Sequence, residues 1–229
     1  TDHCFANHDR IAELNLYDSK ADRYFSGSPV PLAEELRTWA LGETEAISSV
    51  TYPRERPYYV ELSPEKTLPY ELETIEIDTC YNKIFTPEMV AGHWKMASQS
   101  LNSVILSQSM AIKIFGNAES AIGKHMTLMR RLNTSPESTP KTGGIVYTIQ
   151  AVMKDIPLNN SLDFMQNIDM LTVNDSEGLL QSPKRHNMTG ANTYVLLSPQ
   201  TTCTDLEKQF SKRDYTYTLY GEAYTVTAS

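Results

Sequence analysis

Hydrophobic and polar positions alternate loosely from Arg10 to Leu16, which predicts a first strand, and a polar loop follows through Gly27 and Ser28. Pro29 and Pro31 then introduce LAEELRTWAL, where Leu32, Leu36, Trp39 and Ala40 form a helical stripe that Gly42 ends. From Ala46 to Val60 and from Leu68 to Ile77 the chain is rich in Val, Ile, Tyr and Thr. Leu72, Thr74 and Glu76 alternate there with Glu73, Ile75 and Ile77, the period of a strand. After Asp78 the aromatic-rich YNKIFTPEMVAGHW precedes SVILSQ, a short run that reads as a buried strand leading into a helix over 107–115. A turn through Gly123 feeds the strand HMTLM, and GGIVYTIQAVMKDIP predicts another that stops at Pro157. Between these two strands, Arg130 to Gly144 holds Asn, Ser, Pro, Thr and Gly with few apolar residues, the composition of a mobile hairpin tip. Asn167 to Thr189 is polar and weakly patterned. The strand TYVLL, a helix from Thr204 that carries Leu206 and Phe210, and a strand-like tail complete the chain.

No internal repeat of 20 to 50 residues is visible, but both chain ends share a strand-helix-strand rhythm that the middle lacks. That pattern predicts a discontinuous α+β module with a second module inserted into it. The chain has 229 residues, 40% of them hydrophobic, enough for one large domain or two small ones with a real core. No run approaches the roughly 18 consecutive apolar residues of a membrane span, and no basic stretch followed by an apolar one marks a signal peptide. Because patterned sequence begins at Thr1 rather than at a Met, the expectation is a piece of a longer protein.

SQSMAIKIFGNAESAIGKHM, residues 107–126, superficially suggests a phosphate-binding loop. Such a loop needs G-x-x-x-x-G-K-[ST] between a strand and the helix it opens. Gly116 and Gly123 are too far apart, His125 stands where Ser or Thr is required, and both glycines follow the predicted helix. Ser107 as N-cap and Gly116 just past the end predict a helix stop and a tight turn instead.

A net charge of −8 argues against a nucleic-acid backbone as partner, and Arg130-Arg131 and Lys184-Arg185-His186 are too short to offset it. Cys4, Cys80 and Cys203 form no C-x-x-C pair and leave the redox compartment open. His3, Cys4 and His8, flanked by Asp2 and Asp9, are the tightest set of soft metal ligands, but no second pair at zinc spacing appears downstream. The remaining histidines, His93, His125 and His186, are isolated. No G-x-S-x-G occurs, and neither Cys80 in DTCYN nor Cys203 in TTCTD carries a nucleophile signature. Glu34 and Glu35 lie in the first turn of a predicted helix, where the dipole favours carboxylates. The N-x-[ST] triplets at Asn133, Asn159, Asn174 and Asn187 decide nothing. The 13 tyrosines leave open a secreted or surface module that binds a glycan or peptide, with Tyr58, Tyr59, Tyr215 and Tyr217 either lining a groove or filling strand positions.

Six stretches in order, HCFANHDRIAEL (3–14), PLAEELRTWA (31–40), EIDTCYNKIF (76–85), SVILSQSMAIKIFGNAESAIGKHM (103–126), YTIQAVMKDIPLNNSLDF (147–164) and NTYVLLSPQTTCTDLEKQF (192–210), resemble a known family. It is the extracytoplasmic domain of MacB/FtsX-type ABC transporter permeases, in the form found in Bacteroidetes-like bacteria. The most specific elements are the helix ending IFG, then AIGK, then the strand end marked by Val152, Lys154, Asp155, Pro157, Asn159 and Ser161. The resemblance implies a Porter-like part built from residues 1–78 and 191–229, with a Sabre-like mixed α/β part inserted over 79–190. It implies a domain held at the periplasmic face of the inner membrane by flanking transmembrane helices of the same permease. A second permease subunit, a separate cytoplasmic ABC ATPase and a periplasmic adaptor or lipoprotein are the implied partners. The implied work is mechanotransmission from ATP hydrolysis, without catalytic residues, cofactor or metal in this domain, and with the excised domain a monomer. The tail LYGEAYTVTAS departs from the family's usual exit toward the membrane, and Arg130 to Gly144 is long for the hairpin.

Overall fold

A computed structural model describes residues 5–25, 27–100, 102–128, 144–156, 167–173, 189–219 and 221–229. The architecture is α+β, with short helices laid on one extended network of strands. In chain order the strands are β1 (Ile11–Asp18), β2 (Arg23–Phe25), β3 (Ser28–Pro29), β4 (Thr44–Thr51), β5 (Arg54–Ser63), β6 (Lys66–Ile77) and β7 (Met89–Gly92). They continue as β8 (Ser103–Ser107), β9 (His125–Leu128), β10 (Ile145–Met153), β11 (Met170–Val173), β12 (Thr189–Leu197), β13 (Thr216–Leu219) and β14 (Glu222–Ala228). The helices are α1 (Leu32–Arg37), α2 (Tyr81–Phe85), α3 (Trp94–Ser98), α4 (Gln108–Phe115) and α5 (Cys203–Lys212).

Two sheet regions emerge from the pairings. Strands β4, β12, β1, β14 and β13 lie side by side and unite the two chain ends. The other region closes on itself: β6 pairs β5, β5 pairs β9, β9 pairs β10, β10 pairs β8, β8 pairs β11, and β11 returns parallel to β6. This ring draws β5 and β6 from the segment before Asp78. Among the described residues, direct strand pairing between the open sheet and the ring is a single residue pair, Val50 with Ile77.

Strand alternation sorts the apolar side chains into three cores. Leu14, Leu16, Ile47 and Val195 face Leu32 and Leu36 of α1 and Leu206 and Phe210 of α5. On the opposite face of the same sheet, Val50, Tyr194 and Leu196 meet Phe85 of α2 and, from the outside of the ring, Ile75, Ile77, Ile105, Leu171 and Val173. Inside the ring, Tyr58, Val60, Leu72, Leu106, Met126, Ile149 and Met170 pack with Met110 and Ile114 of α4. Strand β8 serves two cores, Ile105 one and Val104 and Leu106 another, so all five of its residues are buried. A strand covered on both faces reads as a continuous apolar run, as SVILS does.

Helix α4 forms as its sequence predicts. The Ser107 hydroxyl accepts from the Met110 N–H, and Gly116, at φ 85°, receives the chain in the left-handed conformation. Helix α1 is shorter than the expected stripe. It ends at Arg37, and Ala40 at φ 46°, not Gly42, takes the left-handed turn. Trp39 lies past the helix end yet still packs against the core that Leu32 and Leu36 face, its ring 4.4 Å from Tyr215 and 6.3 Å from Phe210. The expected loop through Gly27 and Ser28 contains the short strands β2 and β3, which pair with β1 and β12. Strand β10 stops at Met153, before the expected Pro157. Within the polar stretch Asn167 to Thr189, the four residues of β11 form a fully buried strand that the average composition conceals. The tail forms a hairpin, β13 with β14, and β14 pairs β1. Of the expected hairpin tip, residues 130–143 lie outside the described residues.

Candidate functional site

The best-organised polar centre lies where α1, β4 and the end of β6 meet. Asp78 is 3% exposed and accepts four hydrogen bonds. Its Oδ1 receives the Ser48 hydroxyl at 2.8 Å and the Cys80 N–H at 2.9 Å. Its Oδ2 receives the Ser49 N–H at 2.9 Å and Arg37 Nη1 at 2.8 Å. Arg37 also donates from Nη1 to the Ile47 carbonyl at 2.8 Å and from Nε to Glu34 at 3.1 Å. Burial by itself would weaken the guanidinium's hold on its proton. The Asp78 charge and the bonds to Asp78 and Glu34 more than reverse that, so its pKa stands above the ordinary value. Burial, then the Asp78 charge, pushes the Cys80 thiol up, away from the thiolate a nucleophile needs. The centre therefore fastens elements together, and its thiol is not activated.

A second cluster borders the middle core. The Tyr194 hydroxyl accepts from Asn192 Nδ2 at 3.1 Å and donates to Glu13 Oε2 at 3.4 Å. Burial raises the Glu13 pKa, with the Tyr194 bond acting in the opposite direction. The backbone of Glu13 exchanges both its bonds with Ser229, N–H to carbonyl at 2.8 Å one way and 3.0 Å the other. Glu207 on α5 accepts the Ala228 N–H at 3.1 Å, which secures the same strand end from the helix side. Ser229 thus lies beside the opening residues of β1, where the neighbouring strands β1 and β14 end together.

The residues singled out in the sequence are scattered. The Gly123 N–H donates to the Ile149 carbonyl at 2.8 Å, and the Lys124 carbonyl accepts from the Ile149 N–H at 2.9 Å, so this turn is spent on β10. His8 belongs to a 3-10 turn, His93 precedes α3 without a side-chain capping bond, and the ring nitrogen of His125 lies 3.3 Å from the Thr148 hydroxyl. Among the described residues no three His, Cys, Asp or Glu side chains converge as a metal would require. His3, Cys4, His186, the two basic clusters, the four Asn triplets and the strand-end residues Pro157, Asn159 and Ser161 lie outside the described residues. Cys80 and Cys203 are unpaired thiols. Of the four tyrosines considered for a groove, Tyr58 and Tyr217 are buried, Tyr215 is partly buried with its hydroxyl on Glu35 at 2.9 Å, and Tyr59 alone is exposed. The Asp78–Arg37 pair carried no sequence signal, because single charges 41 residues apart form no local pattern.

This arrangement is the fold of the extracytoplasmic domains of ABC transporter permeases, of the MacB-like periplasmic type. A domain assigned to a permease from Porphyromonas gingivalis superposes with a TM-score of 0.69 at 21% identity, over 98% of this chain and 92% of that one. The periplasmic region of MacB from Actinobacillus actinomycetemcomitans gives 0.55 at 14% identity, over 89% and 82%. The extracellular domain of the noncanonical ABC-type transporter YknZ from Gram-positive bacteria gives 0.53 at 12% identity, over 96% and 99%. No protein-family model and no curated protein matches the sequence. No helix among the described residues is long and apolar enough to cross a membrane.

Proposed function

We propose that this chain is the periplasmic domain of an ABC transporter permease and that it transmits conformational change, driven by cytoplasmic ATP hydrolysis, to partners outside the membrane. The observation that carries the reading is the likeness in fold to a permease domain, the periplasmic region of MacB and the extracellular domain of YknZ, across 89–98% of the chain. In this proposal the open sheet is the Porter-like part, built from both chain ends. The ring is the inserted Sabre-like part, so β5 and β6 join residues 79–190 on the inserted side. The partners are the flanking transmembrane helices, a second permease subunit, the ATPase and a periplasmic adaptor or lipoprotein. The place is the periplasmic face of the inner membrane, and the domain itself works without catalytic residues or cofactor.

Sequencing the gene through both flanks tests the proposal. Apolar runs of about 20 residues on both sides of this segment are expected. A secretory signal before Thr1 together with a stop codon after Ser229 would overturn it.

A further inference from the structure

The ring has one face that the rest of the molecule leaves uncovered among the described residues. Along β6 the outward positions are Thr67, Pro69, Glu71, Glu73, Ile75 and Ile77, and the middle core covers only the last two. Beside them on β5 the outward positions are Glu55, Pro57, Tyr59 and Glu61. Register extends this surface across four strands, because Pro69 is opposite Tyr59, Tyr59 opposite Thr127 of β9, and Thr127 opposite Val146 of β10. Tyr59 is 42% exposed although its neighbours Tyr58 and Val60 are fully buried, and Val146 is 49% exposed at the strand end where Ile145 is exposed as well.

Among the described residues, charge at the outward positions of the strands of this face has one sign. Glu55 is the direct cross-strand partner of Glu73, Glu71 lies opposite Pro57, and Glu61 lies opposite Thr67. Among the described residues no lysine or arginine occupies an outward position on these strands. Arg54, Arg56 and Lys66 have the inward parity of Tyr58 and Leu72, and Arg56 is taken by Glu76 at 3.1 Å. Among the described residues Glu55, Glu61 and Glu71 make no ion pair, and like charges set directly across a sheet oppose folding by themselves. A row of Pro69, Tyr59, Thr127 and Val146, flanked by carboxylates that have no ion pair among the described residues, has the anatomy of a protein interface before its partner arrives.

We infer that the outward face of β5, β6, β9 and the start of β10 docks a protein partner whose surface is basic around an apolar or aromatic centre. Charge complementarity selects this occupant. A second copy using the same face would bring Glu55, Glu61, Glu71 and Glu73 against their own equivalents, as two-fold contacts do. Anionic lipid and nucleic acid are repelled for the same reason. The inference stands on the sheet face itself and does not rest on the permease reading, which the flanking gene sequence tests separately.

The test is amide chemical-shift mapping of the domain titrated with a synthetic alternating Lys-Leu peptide and, separately, with oligolysine of equal charge. The expected result is perturbation concentrated at residues 55–61, 67–73, 127 and 146, with the Lys-Leu peptide binding about tenfold tighter than oligolysine and weakening as salt rises. In the Glu55→Lys/Glu71→Lys variant, and in Tyr59→Ser separately, affinity should fall about tenfold while circular dichroism stays that of the parent. Because the two variants change different residues and different chemistry, the failure of one to fold leaves the other to decide. Shifts spread over the remaining carboxylates, or equal affinity for both peptides, would overturn the inference as unspecific charge attraction. Concentration-dependent shifts at the same residues without peptide would overturn it in favour of self-association.

Discussion

Arg37 of α1 donates to Asp78 at the end of β6 across 2.8 Å, and the carboxylate it meets also holds Ser48 and Ser49 of β4. One buried carboxylate therefore joins the first helix, the open sheet and the strand that enters the ring. Asp78→Ala leaves the guanidinium without its counter-charge in a mostly buried position, and a loss of about 3–5 kcal/mol in unfolding free energy is expected. Urea denaturation measures it. The Arg37→Ala/Asp78→Ala double variant should lose less than the two single losses added together.

Ala40 occupies an exposed left-handed position at φ 46°, which costs a residue with a Cβ about 1–2 kcal/mol and glycine almost none. Part of that gain is returned as unfolded-chain entropy, so Ala40→Gly should stabilise the domain by about 0.5–1 kcal/mol. A denaturation midpoint below that of the parent would show that the turn is not under this strain.

Glu73 has its pKa raised, first by burial and then by the charges of Glu55 and Asp169. A carboxylate whose folded pKa is raised favours the fold below its unfolded value, and that contribution is lost as pH rises through the folded pKa. With solvent screening discounting the repulsion, Glu73→Gln should stabilise the domain by about 0.5 kcal/mol at pH 7 and change little at about pH 4. A gain of equal size at both pH values would assign the effect to packing instead of charge.

Helix α5 opens with a reciprocal cap. Thr202 Oγ1 accepts the Asp205 N–H at 3.3 Å, and the Asp205 carboxylate accepts the Thr202 N–H at 3.2 Å and its hydroxyl at 2.7 Å. The hydroxyl of Thr202, then Lys208, lowers the Asp205 pKa to about 2. Its stabilising contribution is present above the unfolded value and disappears as pH falls toward that figure. Thr202→Ala should cost about 1 kcal/mol and let the Asp205 pKa rise toward its ordinary value, which carboxyl-carbon NMR titration reads directly.

The domain alone is expected to turn over no ATP beyond the buffer rate, with the Gly123 amide already bonded to Ile149. Phosphate release by the purified domain that follows the protein through a final gel-filtration step would contradict the proposed division of labour.

What was legible in the sequence was local. SVILS and the helix after Ser107 carry their own evidence, an apolar run, a capping hydroxyl and a terminating glycine. Strand β11 has only four residues, each decided by neighbours far along the chain, β6 on one side and β8 on the other. Ring closure was hidden for the same reason. Its parallel pairs, β11 with β6 and β10 with β8, join segments that no turn connects. Trp39 fitted the stripe of α1 by spacing, yet its place was decided by Tyr215 and Phe210 on the opposite end of the chain. The acidic face was present in the alternation of β5 and β6, but only the ring establishes which strands stand beside it.

Glu13 and Ser229 meet as an antiparallel pair where β1 and β14 end together, and this sets how the domain bears load. A pull that separates the two chain ends there acts across the β1–β14 ladder and not along it. The bonds are then loaded one after another, like the teeth of a zip, beginning with the Glu13–Ser229 pair. A push that drives the ends together leaves the ladder closed and passes into the sheet as a rigid displacement. Strand direction alone thus makes the response of this pair to tension differ from its response to compression.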